Sequence, residues 1–392
     1  MKKITSLTIL FFSLTLFSQS KEFILIDSIS KKPIDLVHIF YPELAIGSIS
    51  NKDGRIRIPF KKLNILVSHI NYIDKTFSFT NFKKKDTLFL TPKTNQLDEI
   101  IVSNLDLKAK ISNILDNTYF KYYSTKKTIH KSTFKETFRV NDSLNRLFQV
   151  QLNWWSKESL LRGNKRIDEQ NKIILESVDY SKLKKIKKDF INANGAYIGN
   201  EDLFKYLHLN FLLSIFRNLS SDIVITSIKK EKNSIKVYFD ATLTENGKKI
   251  YDYKNSLFVF DKEYNSINYV KLNMIYNSDF QEGVSELHKI SYQQKTTKHS
   301  VELAFKRLRN NKLIINYFIS EFEGIIKTKN FTNTVVTKQS LFVSESVLGK
   351  RIKKSNINFH EPFFENLPPN LKTNDAKILL TKEEKEFINT TN

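Results

Sequence analysis

The 392-residue sequence contains no cysteine. That excludes disulfides, a thiolate nucleophile, a cysteine metal site and a cysteine for lipid attachment, so packing alone must hold the fold. Glycine (9) and proline (7) are scarce for this length, which argues against collagen-like, linker-rich and low-complexity designs. There is no internal repeat of solenoid or propeller period. A Gly-x-Ser-x-Gly elbow, a phosphate-binding Gly-rich loop and a dinucleotide fingerprint are all missing. None of the histidines (His38, His69, His130, His208, His288, His299, His360) has another within five positions, so the spacing of a histidine-pair metal site is absent too. The lone His-x-x-Glu, His299 with Glu302, falls in a run that alternates like a strand, where residues three apart face opposite sides. These absences leave no cofactor, metal or catalytic residue to expect, and the protein reads as non-enzymatic.

Negative charge is also short. Lys and Arg number 63 against 41 Asp and Glu, a formal charge of +22. The excess is spread along the chain, and its densest clusters, "KLKKIKK" (182–188) and "GKRIKK" (349–354), lack the interleaved aromatics of a single-strand-binding groove. They read as solvated faces, and nucleic acid is not an expected partner.

What is present is globular: 40% hydrophobic residues, 12% aromatic, and length for two domains. The first twenty residues, "MKKITSLTILFFSLTLFSQS", place Lys2 and Lys3 before an apolar run from Ile9 to Phe17, broken by Ser13 and Thr15, with small Ser18 and Ser20 after it. That is the layout of a signal peptide cleaved after Ser20, and the run is shorter than a membrane span. The expected location is the periplasm or the periplasmic face of an outer membrane.

Residues 21–103 alternate in short β-like runs separated by turn residues: "FILID", "DLVHIFY", "AIGSIS", "RIRIPF", "NILVSHI", "KTFSFT" and "DTLFLT". Between two of them, "SNKDG" (50–54) poses a choice between half a calcium loop and a turn. A calcium loop needs several more oxygen ligands and a closing bidentate Glu, whereas Arg55 and Arg57 follow and repel a cation. Gly54 supplies positive φ, and Asn51 and Asp53 can bond nearby amides, so the run is expected to be a hairpin tip.

Pro33 and Ile34, then Gly47, Ser48, Ser50, Asn51 and Gly54, then Ser68, Ile70 and Tyr72, and finally Leu97 to Val102 in "QLDEIIVSN" together resemble carboxypeptidase-regulatory-like domains. The resemblance implies a seven-stranded transthyretin-like sandwich of the kind that leads exported proteins in Bacteroidetes-type bacteria, and a non-catalytic role. The chain departs from that pattern at His69, where the family has Tyr, and at Asn71, where it has Gly.

Residues 104–392 carry longer alternating runs at 132–140, 146–155, 223–230, 234–243, 256–263, 267–276, 285–293 and 312–322. They predict one large curved antiparallel sheet covered by one or two helices, near 105–117 and 201–217. The first helix would be capped by Asn104 with Leu107, Ile111 and Ile114 on one face. The second is apolar nearly all round: Leu203, Phe204, Leu207, Phe211 and Ile215 on one side, Tyr206, Leu209, Leu213 and Phe216 on the other. Such a helix is buried or faces a greasy ligand. A helix lying in a curved sheet resembles the half-barrel of periplasmic lipoprotein carriers. Residues 361–392 hold three prolines and read as an extended strap followed by a short polar helix.

Trp154 and Trp155 are the only tryptophans and sit side by side at a strand end, so one is expected to face away from the core, exposed or under a loop. Trp154, Trp155, Phe211 and Phe216 are therefore the candidate ligand contacts. The expected partner is a lipid or other apolar ligand, or an envelope protein, with peripheral membrane contact. The competing reading is a hydrolase of envelope polymers using paired carboxylates.

Overall fold

The computed structural model describes residues 20–44, 46–78, 81, 86–93, 105–122, 128–157, 160–184, 200–218, 223–245, 248–284, 290–308, 310–349, 351–367 and 378–390. The leader up to residue 19 and the "QLDEIIVSN" run lie outside these residues. The chain forms two compact units, residues 1–94 with 377–383 and residues 95–376 with 384–392. A return of the carboxyl-terminal segment to the front unit is something a single cut at 103 does not contain.

Among the described residues the front unit has seven strands: β1 (Ser20–Asp27), β2 (His38–Tyr41), β3 (Ile46–Ile49), β4 (Arg55–Pro59), β5 (Ile65–His69), β6 (Tyr72–Phe77) and β7 (Thr87–Leu90). They make two sheets, β4-β1-β7 and β3-β2-β5-β6, as a sandwich requires. β1 is antiparallel to β4 and parallel to β7. Phe23, Leu25, Ile56, Ile58, Leu88 and Leu90 of the first sheet bury against Ile39, Tyr41, Ile65, Val67 and Phe77 of the second. Strand β2, apolar on both faces, is central, between β3 and β5.

The "SNKDG" run is not a hairpin tip. Its flanking strands pair elsewhere, β3 with β2 and β4 with β1, so it is the corner where the chain leaves one sheet for the other. The alternating isoleucines on either side suit a corner as well as a hairpin, because each strand buries one face in the same core. Gly54 has φ 70°. A Cβ there would lie 2.5 Å from the Leu25 carbonyl oxygen, so only glycine fits. Asn51 Oδ1 accepts from the amides of Asp53 and Arg55, both at 3.0 Å. The Asn51 amide group also donates to the Leu379 carbonyl at 3.0 Å, and Asp53 accepts from the Lys382 amide at 2.8 Å. The corner thus fastens the returning segment. Arg55 and Arg57 pair with Glu22 at 3.1 and 2.6 Å; although burial opposes it, these arginines hold the Glu22 carboxyl below its ordinary range.

The rear unit is built on one antiparallel eleven-stranded sheet. Its strands are β8 (Thr128–Val140), β9 (Ser143–Ser156), β10 (Asn171–Leu183), β11 (Ile223–Lys230), β12 (Ser234–Glu245), β13 (Lys248–Asp261), β14 (Ile267–Tyr276), β15 (Gln281–Val284), β16 (Ser291–Arg307), β17 (Leu313–Lys327) and β18 (Thr332–Leu348). The order is β10-β9-β8-β18-β17-β16-β14-β13-β12-β11, with β15 on β16. Among the described residues the edge strands β10 and β11 do not pair, so the sheet stays open. Register shifts in β10, β11, β12, β13, β16 and β18 mark bulges, which bend strands and give a long sheet its curvature. Asn141 and Asp142, at φ 46° and 64°, form the two-residue turn between β8 and β9, the geometry that matches strand twist.

Among the described residues between 105 and 218, five short helices accompany the sheet: α1 (Leu107–Asp116), α2 (Thr118–Lys121), α3 (Ile167–Gln170), α4 (Asn200–Tyr206) and α5 (Leu209–Asn218). Leu107, Ile111 and Ile114 of α1 are buried, as their spacing predicts. The cap is Asp106, whose carboxylate accepts from the Ala109 amide at 2.9 Å, two residues beyond the expected Asn104. The single helix expected over 201–217 is broken at Leu207 and His208 into α4 and α5. The break has local anchors: the His208 ring reaches Asn171 at 3.3 Å, and Asn210 makes two hydrogen bonds, both 2.9 Å, with the backbone of Leu161.

Candidate ligand-binding site

Along β8 and β9 the even-numbered residues face inward, which sets Phe134, Phe148, Val150, Leu152 and Trp154 on the inner face of the sheet. Leu203, Phe204, Leu207, Leu209, Leu212, Leu213 and Phe216 of the α4–α5 pair lie in the same core. Phe216 is fully buried in an aromatic cage, with ring centroids 5.4 Å from Phe239, 4.8 Å from Tyr253 and 5.6 Å from Phe258. Phe211, on another side of α5, is only half-buried and packs edge-on against Tyr206 at 5.6 Å.

A rim follows where the burial thins. Half-buried Tyr206 of α4, Phe211 of α5, Tyr251 of β13, Tyr276 of β14 and Phe322 of β17 flank the core. Tyr251 and Tyr253 bring their hydroxyls within 3.2 Å. Burial, and behind it the neighbouring phenols, raises the pKa of Tyr253 and Tyr276 above the ordinary range, so both stay neutral. Beside them His299 shares a 2.8 Å hydrogen bond with Ser320 and sits edge-on to Tyr206. Glu302, three residues on, faces the other way, accepting from Tyr269 at 2.7 Å and Lys271 at 2.8 Å. The His-x-x-Glu pair is thus split across the sheet, as strand geometry predicts.

Polar groups occur deep on the same inner face. Glu136 accepts from Arg146 Nε at 2.8 Å and from the Gln339 amide at 2.8 Å, and the Arg146 and Glu136 side chains are almost fully buried. The guanidinium lies 4.9 Å from the Phe138 ring and 4.1 Å from Phe364, a sandwich that suits its planar, weakly hydrated cation. His130 lies tilted by 32° against the Trp154 ring, centroids 4.8 Å apart. Its burial, with Lys306 and His208 nearby, pushes its pKa down to about 3, so it is neutral.

The four sequence candidates do not converge. Trp154 is buried in the core, its indole N–H donating to Asn171 at 2.9 Å. Trp155 points to the other face, as period two demands, yet is not exposed: it is buried, with the Arg351 guanidinium 5.0 Å from its ring. Both tryptophans are buried in this structure. Phe216 is core and Phe211 is rim. Sequence reading missed Tyr251, Tyr253, Tyr276 and Arg146, although "YDY" at 251–253 places two tyrosines on one face of β13.

Two other constellations complete the unit. A cleft of about 480 Å³ is lined by Phe120, Lys121, Asp261, Ser266, Arg307 and Lys312 with neighbouring residues. On β12 and β13, Asp240 and Asp252 lie near enough to repel, but each is held below the ordinary carboxylate range by lysines, Lys254 on Asp240 and Lys249 on Asp252, against the effect of burial. A glycosidase acid needs the opposite shift, so this pair does not favour the hydrolase reading. Among the described residues no three His, Asp or Glu side chains cluster as metal ligands would. No helix among them is long and apolar enough to cross a membrane.

No family model and no curated protein matches the chain. Solved structures similar to it include lipovitellin in a study of lipid–protein interactions, 8% identical with a TM-score of 0.28, covering 65% of this chain and 29% of that one. A LolA superfamily protein from Nitrosomonas europaea is 6% identical with a TM-score of 0.22, covering 63% of this chain and 94% of that one. A loop-deletion mutant of OmpT, an outer membrane protein of Vibrio cholerae, is 7% identical with a TM-score of 0.11, covering 55% and 97%. The chain thus spans under a third of the length of lipovitellin. None of these likenesses decides an activity.

Proposed function

We propose that the protein is an exported, non-catalytic envelope protein whose rear unit binds an apolar ligand, foremost a lipid, between the sheet and its helical cover. The observation that carries this reading is the way the inner face is covered. One open sheet presents a continuous apolar and aromatic surface, and what roofs it is a set of short separate pieces, α1, α4 and α5, edged by the half-buried tyrosines and Phe322. Such pieces can part from the sheet without breaking a strand ladder. Trp154, Phe211 and Phe216 line this site in the proposal, and Trp155, on the opposite face, does not.

The front unit supports the rest of the reading. Its seven strands in two sheets, with the Gly54 corner at the motif position, suit a carboxypeptidase-regulatory-like module that docks onto an envelope partner. The +22 charge favours peripheral contact with an anionic surface. The signal-like run of the first twenty residues supports a location in the periplasm or at the periplasmic face of an outer membrane.

The test is to purify the full chain from its own cells and extract it with organic solvent. Lipid near one molecule per chain is expected, on a mature chain whose intact mass begins at Lys21. Protein that returns no lipid from the envelope fraction contradicts the ligand reading, and one that keeps its leader in the cytoplasm contradicts export.

A further inference from the structure

Part of the inner face is covered by the chain itself. After β18 the backbone turns back along edge strand β10: the Ser355 hydroxyl accepts from the Ile173 amide at 3.0 Å, the Asn356 amide donates to the Ile173 carbonyl at 3.1 Å, and the Asn356 side chain binds both Leu175 backbone groups at 2.7 and 3.1 Å. These bonds cap an edge that would otherwise be open. Beyond them the strap turns inward. Phe359 meets Phe204 of α4 at 5.5 Å, and Phe363 meets Phe134 at 4.6 Å and Phe148 at 5.9 Å. Phe364 lies on the Arg146 guanidinium. Ile357, Phe359 and Phe363 are all buried in the rear core.

This segment contributes no ladder of its own to the core. It reaches the inner face with four apolar side chains carried on a loop and one 3-10 turn (Phe363–Asn366). It fills a groove whose far end is the buried Arg146. Among the described residues the only acceptor for that guanidinium is Glu136, which leaves part of its fan of five N–H donors unused. A groove lined by Phe134, Phe148 and Phe204, ending at an arginine with spare donors, has the chemistry of a site for an acyl chain with an oxygen-bearing end.

We propose that the strap, residues 357–367, occupies the ligand's own groove, and that an acyl chain binds by displacing Phe359 and Phe363 and setting its carboxylate or ester oxygen beside Arg146. This rests on the ligand reading above and adds where the ligand lies and what it must move. The strap makes the described form self-occupied, and apparent affinity is reduced by the fraction of molecules in which the strap is out.

The experiment is hydrogen exchange on the full chain with and without oleic acid, paired with oleate titration of Phe359→Ala and Phe363→Ala. Oleate is expected to lower protection at residues 355–367 and at the amides of Ile173 and Leu175, while the sheet interior stays protected. Each alanine variant, its tryptophan emission unchanged as evidence of fold, is expected to bind oleate about tenfold tighter because its strap competes less. Oleate binding with the strap fully protected, or with affinity unchanged or weakened in both variants, overturns the displacement while leaving the ligand reading intact. No oleate binding by any form overturns both.

Discussion

The front unit closes its core with two sheets facing each other, so every wall is held by a hydrogen-bonded ladder and its corner is pinned by Asn51, Asp53 and Gly54. The rear unit closes a much larger inner face with short helices and a strap, none of which belongs to the ladder. Both cores are well packed, yet they differ in what opening costs. Parting two sheets exposes a whole face at once, whereas lifting one helix or the strap exposes a few aromatic side chains. Architecture of the first kind suits a docking module, and of the second kind a site that must admit something.

The comparison breaks most sharply at Phe216. Its caged ring predicts that Phe216→Ala destabilises the rear unit by about 3–5 kcal/mol. Both tryptophans lie in that unit, so unfolding followed by their emission reads the loss; a shift below about 1 kcal/mol would mean the cage is already loose. On the front side, Gly54→Ala meets both a positive φ and the Leu25 carbonyl, and a loss of about 1–3 kcal/mol is expected. It should appear in circular dichroism as a transition that tryptophan emission does not follow.

A smaller effect is expected at the fastening of the returning segment. Asn51→Ala removes the donor to Leu379 and two acceptor bonds within the corner, a loss of about 1–2 kcal/mol. Proteolysis between residues 378 and 383 should quicken, and an unchanged cleavage rate would show that this bond does not hold the segment.

A further effect is a pH slope. His130 stays neutral in the fold down to about pH 3, while the unfolded chain takes up its proton below about pH 6.5. The contribution is therefore complete above pH 6.5 and is lost as pH falls toward 3, with a slope approaching about 1.4 kcal/mol per pH unit. Asp240 and Asp252, also held low, add their losses only in the carboxylate range beneath that window. The tryptophan-detected midpoint should fall with acid between about pH 6.5 and 4.5, and His130→Phe should flatten it.

The sequence was legible where periodicity and turn chemistry are local. The seven front runs, the alternating runs within β8 and β9, the α1 face and the split of His299 from Glu302 all follow from periods of two or 3.6. It misled where pairing is non-local. Nothing in "SNKDG" itself distinguishes a hairpin from a corner between sheets, since both need Gly54 and an Asn that bonds its neighbours. Strands β10 and β18 escaped notice because they mix polar and charged residues among their apolar ones, Asn, Glu, Asp, Ser and Lys in β10 and Thr, Ser, Gln and Lys in β18: Thr337 and Gln339 of β18 are buried inward positions that look solvated in a list of letters. Whether Trp155 is exposed or covered could not be read from the strand pattern, because its cover, Arg351, comes from nearly two hundred positions away. The site was only half legible for the same reason. Phe211 and Phe216 stand out on an apolar helix, but the tyrosine rim, Arg146 and the strap phenylalanines become neighbours only through the sheet order.

The central claim, that the inner face of the rear sheet takes an apolar ligand, is tested most directly through Trp154. In Trp155→Phe the emission comes from Trp154 alone, set in the inner core beside Phe204. Titration with dibromostearate should quench it saturably, near one molecule per chain, and unlabelled oleate should reverse the quenching. Emission that stays unquenched, or falls linearly without saturation, would contradict the account.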